Sequence, residues 1–171
     1  MTHESKEKIM SGLQAAMRAE HEGHHFYMMA ASSTQDPKGK EVFIRLAKEE
    51  LEHVTFLKKQ FESVSSTGAP DDTIVLTLPA DSGSTDPIFS DNLRGRVKDA
   101  HFEMTALSVG IHLELNASEF YAKQADNAED TVVKEFYGVL AKWEMGHYKA
   151  LLAEQESLKK DYWHENGFSP F

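Results

Sequence analysis

The stretch LAKEELEHVTFL, residues 46–57, returns 94 positions later as LAKWEMGHYKAL, residues 140–151. Leu46, Ala47, Lys48, Glu50, His53 and Leu57 meet Leu140, Ala141, Lys142, Glu144, His147 and Leu151 without a gap. Carried outward, the same offset aligns residues 10–57 with 104–151 and gives 15 identities in 48 positions, Glu20, Phe26, Tyr27, Ala31 and Asp36 among them. Accident would supply roughly three, so the chain is duplicated over a whole helical hairpin, a longer unit than a solenoid repeat.

Each copy reads as two helices. From Glu4 to about Ser33, Leu13, Ala16, Met17, Glu20, His24, Tyr27 and Ala31 recur at three- and four-residue steps with no proline between them. Asp36-Pro37 then breaks and restarts the pattern, an N-cap followed by a residue with no donor to waste. The second helix runs to about Glu62. Helical pattern resumes near Asp91 and continues to about Asn127, with a bend near Gly95 or Ala100. A fourth helix opens at Asp130 and reaches about Asp161, leaving a tail at 162–171. Between the hairpins, 19 of the 28 residues from Ser63 to Ser90 are Ser, Thr, Gly, Pro or Asp, and the apolar patch is Ile74-Val75-Leu76. This is a loop with one short extended piece. Twenty-eight extended residues reach roughly 90 Å, against about 36 Å for a 24-residue helix. The expected fold is therefore all-α: one domain over residues 1–171, a four-helix bundle of two repeated hairpins joined by a long crossover at 63–90.

Composition removes several functions. The 171 residues carry 18 basic and 28 acidic side chains, a formal charge of −10 that repels phosphate backbones and anionic lipid. No nucleic-acid or membrane partner is expected. With no cysteine, the chain cannot build a disulfide, a thiolate nucleophile, an iron–sulfur cluster or a Cys₄ iron site. The longest apolar run, Phe26 to Ala31, is too short for a membrane span, and the N-terminus lacks a signal-peptide pattern. The expected location is the cytoplasm.

The repeat also sorts the polar residues. Acids on a core-facing helical stripe are costly unless something compensates their charge. Glu20 lies on the inner stripe between Met17 and Tyr27, and its mate Glu114 between Ile111 and Tyr121. Glu50 and His53 lie between Leu46 and Leu57, Glu144 and His147 between Leu140 and Leu151. Three residues of helix turn 300° and rise about 4.5 Å, so each Glu-x-x-His pair points one way. Four packed helices would thus bring four carboxylates and two imidazoles to one level. Such ligands suit two divalent ions. Oxygen donors with one imidazole per ion favour iron, or manganese, over structural zinc.

Glu22 and His25 form a third Glu-x-x-His, but they point away from Glu20 and their mates are Asn116 and Glu119. They read as a solvated face. Tyr27 and Tyr121 lie two turns from proposed ligands, as core aromatics or as donors to the carboxylates. His24, whose mate is Ser118, reads as a donor behind the ligands or as filler. Met28, Met29 and Trp143 read as packing, and His21, His101, His112 and His164 have no evident role.

Glu20 with Tyr27, Glu50-Leu51-Glu52-His53, Glu114 with Phe120-Tyr121, and Glu144-Met145-Gly146-His147 resemble the rubrerythrins of the ferritin-like superfamily. A glutamate from each of two helices plus Glu-x-x-His from the other two is the known arrangement of ferritin-like di-iron and di-manganese bundles. The resemblance covers both hairpins. It implies a di-iron centre with Glu50 and Glu144 bridging, reduction of hydrogen peroxide or oxidation of ferrous iron with oxygen or peroxide, a role in oxidative stress, and a homodimer. Rubrerythrins proper carry a rubredoxin domain; this chain has no cysteine for one, so a separate rubredoxin-like donor is implied. They also place a further glutamate three residues beyond the third-helix ligand, where this chain has Ala117. Two other readings stay open: a non-catalytic ferritin-like iron store, and a structural bundle holding zinc or nothing.

Overall fold

The computed structural model describes residues 2–76, 86–165 and 167. The order is α1 (His3–Ser33), α2 (Pro37–Thr67), a short α3 (Asp91–Arg94), a 3-10 turn (Val97–Asp99), α4 (His101–Asn127) and α5 (Thr131–Glu165). The α1–α2 and α4–α5 hairpins are the two copies of the repeat, and α1 packs against α4. No strand occurs among the described residues.

Local chemistry sets the helix ends. Thr2 caps α1 by accepting from the Ser5 amide. The repeat mates Asp36 and Asp130 cap α2 and α5, accepting from the amides of Gly39 and of Val132 and Val133. Helix α2 closes on Gly68, whose φ of 80° lies in the left-handed region that glycine occupies at least cost. The expected bend in the third helix is a true break, with α3 and the 3-10 turn preceding α4.

Two helix ends differ from the sequence expectation. Helix α2 runs past Glu62 to Thr67. The hydroxyls of Ser66 and Thr67 bond the carbonyls four residues back, and Val64 is buried in the core. Helix α5 continues beyond Asp161 to Glu165; apart from Gly167, the remainder of the expected tail lies outside the described residues, as does 77–85 of the crossover. Ile74 and Leu76 tuck against the Phe56 side of the core while Val75 faces solvent, yet the segment pairs with no strand.

Each of the four long helices passes through two apolar clusters with a polar layer between them. One contains Tyr27, Phe43, Leu46, Leu107, Ile111 and Leu151. The other contains Leu13, Ala16, Leu57, Tyr121, Tyr137 and Leu140. The intervening level is occupied on α1 by Glu20, on α2 by Glu50 and His53, on α4 by Glu114, and on α5 by Glu144 and His147.

The crossover therefore leaves α2 at one end of the bundle and returns to α4 at the other. Repeat mates hold its two ends. Gln60 exchanges two hydrogen bonds with the backbone of Asp71, while Glu154 accepts from the amides of Ile88 and Phe89 and from Arg94. Asp36 adds bonds to the Ser90 amide and hydroxyl. Ile88 and Phe89 are core residues that the sequence reading did not pick out. Phe89 lies so close over α2 that a Cβ on Gly39 would sit 2.5 Å from its ring.

Candidate metal centre

All six side chains singled out by the repeat converge on the layer between the clusters, and none is more than 6% exposed. They form two quartets. Glu20, Glu50, His53 and Glu144 each offer a donor atom within 4.8 Å of the others, and so do Glu50, Glu114, Glu144 and His147. Glu50 and Glu144 belong to both. His53 Nδ1 lies 2.9 Å from Glu144, 3.2 Å from Glu20 and 3.6 Å from Glu50. His147 Nδ1 lies 3.3 Å from Glu144 and 3.4 Å from Glu114.

The burial of so many acids strains their ionisation. Desolvation pushes Glu50 well above the usual carboxylate range, with Glu144 and the other acids adding to the rise. Desolvation also lifts Glu114, to about 8, although His147 pulls it down. Glu144 is equally buried, but His53 and His147 outweigh that and hold it well below the ordinary range. Burial disfavours charge on the two imidazoles, yet Glu144 beside His53 and Glu114 beside His147 raise both well above the ordinary value.

The donor atoms fit a pair of cations. Both Glu144 oxygens and His147 Nδ1 are buried and, although within ion-pair distance of neighbouring site groups, make no hydrogen bond, which leaves their lone pairs for a cation to complete. Four carboxylates balance two divalent ions, and two imidazoles give each ion one nitrogen.

The surrounding shell is built across the pseudo-two-fold. Tyr27 on α1 donates to Glu114 on α4, and Tyr121 on α4 donates to Glu20 on α1. Burial pushes both phenols well above their ordinary value, so they remain donors. His24 bonds the Ala47 carbonyl through Nδ1 at 2.8 Å, and its mate Ser118 bonds the equivalent Ala141 carbonyl at 2.9 Å. Both are struts within a hairpin.

Glu49 is the residue that sequence reasoning missed. Its Oε2 accepts from His147 Nε2 at 2.6 Å, and Arg45 donates to its Oε1 at 3.3 Å. Burial works against its charge, but His147 and Arg45 hold it below the usual range. Its mate is Trp143, so the repeat identity that selected the other acids passes it over. Trp143 is buried, as expected of packing, but its partner is a site residue: its ring stands edge-on to His53, with centroids 4.6 Å apart and planes at 88°.

The remaining polar candidates stay outside. Glu22, His21, His25, His101, His112 and His164 are exposed. Met28 and Met29, expected in the core, are 44% and 53% exposed because one and two residues past Tyr27 the helix has turned outward.

Fold and cluster together define a helical bundle with a buried carboxylate–imidazole site for two metal ions. The family model for Rubrerythrin matches residues 12–155, and the chain belongs to the rubrerythrin family, with the ferritin-like four-helix architecture. No curated protein and no solved structure gives a significant match. Among the described residues no helix is long and apolar enough to cross a membrane.

Proposed function

We propose that the chain is a di-iron oxidoreductase of rubrerythrin type, reducing hydrogen peroxide or using oxygen or peroxide to oxidise ferrous iron. The observation that carries this is the pair of buried quartets sharing Glu50 and Glu144. In this reading Glu20 and His53 would hold one ion and Glu114 and His147 the other, with Glu50 and Glu144 available to both. Bound iron would supply one-electron redox chemistry and Lewis acidity toward an O–O bond.

The protein's own contribution is positional. Tyr27 and Tyr121 tie down Glu114 and Glu20, fixing which carboxylate oxygen remains free. The apolar clusters above and below keep bulk water from the layer, which strengthens each electrostatic interaction inside it. Electrons for turnover would come from a rubredoxin-like centre outside these 171 residues, which contain no cysteine to build one. The family resemblance also supports a homodimer, and the reading includes a cytoplasmic location. Manganese is the alternative metal for this donor set.

The test is kinetic. Anaerobic ferrous protein mixed with hydrogen peroxide should develop the ferric spectrum rapidly and return to the ferrous state over many cycles with a reductant. Accumulation of many irons per chain without turnover would instead make it a store. One zinc or no metal per chain, in protein purified without added metal, would contradict iron chemistry of either kind.

A further inference from the structure

We infer that the two metal positions are unequal, Glu49 orienting His147 so that its position fills first while His53 is denied the same support. The inference rests on the two-cation reading above.

The offset of 94 residues equates Glu49 with Trp143. Were the halves alike, a carboxylate at position 143 would serve His53 as Glu49 serves His147. An indole has one N–H donor and no acceptor. That donor lies 3.5 Å from Glu49 Oε2, on the His147 side. It is also 3.2 Å from His147 Nε2, but two N–H groups cannot bond each other, so both converge on the Glu49 oxygen. His53 Nε2 is left buried with no partner.

The consequence for metal binding has two parts. In both imidazoles Nδ1 faces the carboxylates, so binding through Nδ1 places the ring proton on Nε2. At His147 that proton is accepted by Glu49, which fixes the tautomer and makes Nδ1 a better donor to a cation. At His53 the same tautomer buries an N–H with no acceptor, which opposes binding. Arg45 extends the first arrangement outward through Glu49 Oε1. The two effects act in the same direction, so the asymmetry is built into one aligned position, where Glu49 in one half meets Trp143 in the other.

The experiment is calorimetric and optical titration of the metal-stripped full chain with Co²⁺ alone. The inference expects two binding steps separated by about tenfold or more. Loss of a partner of this kind typically weakens a site by roughly 10–100-fold. Glu49→Leu should weaken the tighter step within that range and leave the other in place. Glu49→Gln, which keeps a neutral acceptor and is the safer variant for folding, should weaken it less. On a His147→Gln background the tighter step should be gone, and Glu49→Leu should then change nothing further. Two equal steps, or a Glu49 variant that weakens both steps alike, would overturn the inequality while leaving the two-metal reading intact. Fewer than two Co²⁺ per chain would overturn both.

Discussion

Tyr27, on α1, donates its phenolic proton to Glu114, the site glutamate of α4. The same bond recurs with the roles exchanged, from Tyr121 to Glu20. The two hairpins are thus tied at the level of the cluster as well as through apolar packing. Removing one phenol leaves a buried carboxylate oxygen without its donor. Tyr27→Phe should destabilise the metal-loaded protein by about 1–3 kcal/mol, read from urea denaturation.

Metal loading should release protons. Glu114, lifted to about 8, and Glu50, lifted well above its usual range, carry protons at neutral pH when no cation is present, as do the raised imidazoles of His53 and His147. A cation must displace them. The sign follows: affinity rises with pH while these groups are protonated and flattens once the pH passes Glu114 and its neighbours. Calorimetric titrations at pH 7 in buffers of different ionisation enthalpy should show net proton release. A buffer-independent heat would contradict the assignment.

Two glycines in helices should respond oppositely to alanine. A Cβ on Gly39 meets the Phe89 ring at 2.5 Å, whereas a Cβ on Gly138 meets nothing within 4 Å. Gly39→Ala should destabilise by about 1–3 kcal/mol through overpacking. Gly138→Ala should stabilise by roughly 0.5–1 kcal/mol through helix propensity. Thermal melts of the two variants give the comparison.

Glu154 should prove to be the clasp of the crossover. It accepts from two backbone amides and holds Arg94 Nη2 at 2.6 Å. Glu154→Leu strands the two amides and leaves Arg94 only Ser157 and Asp161 as partners, and should cost roughly 1–3 kcal/mol. Amide exchange at Ile88 and Phe89 should accelerate with it. Slow exchange there in the variant would mean that apolar burial alone holds the segment.

The helices and the six cluster residues were legible because each rests on a local periodicity that the duplication repeats. Glu20 and Glu114 stood out as acids on an apolar stripe, and nothing long-range was needed to see them. Glu49 was invisible for the complementary reason. It adjoins Glu50 but points elsewhere, and its importance depends on His147, 98 residues away. Ile88 and Phe89 were hidden likewise, since their anchor, Glu154, lies more than 60 residues downstream. The end of α2 was misplaced because Ser66 and Thr67 have loop-forming composition, while their hydroxyls in fact bond the helix carbonyls.

The measurement that bears most directly on the central claim is an anomalous difference map, collected at the iron absorption edge from crystals of the iron-reconstituted chain. Two peaks are expected in each subunit, one beside Glu20 and His53 and one beside Glu114 and His147, with Glu50 and Glu144 in reach of both. A single peak, or peaks only on the protein surface with the layer between the apolar clusters empty, would contradict it.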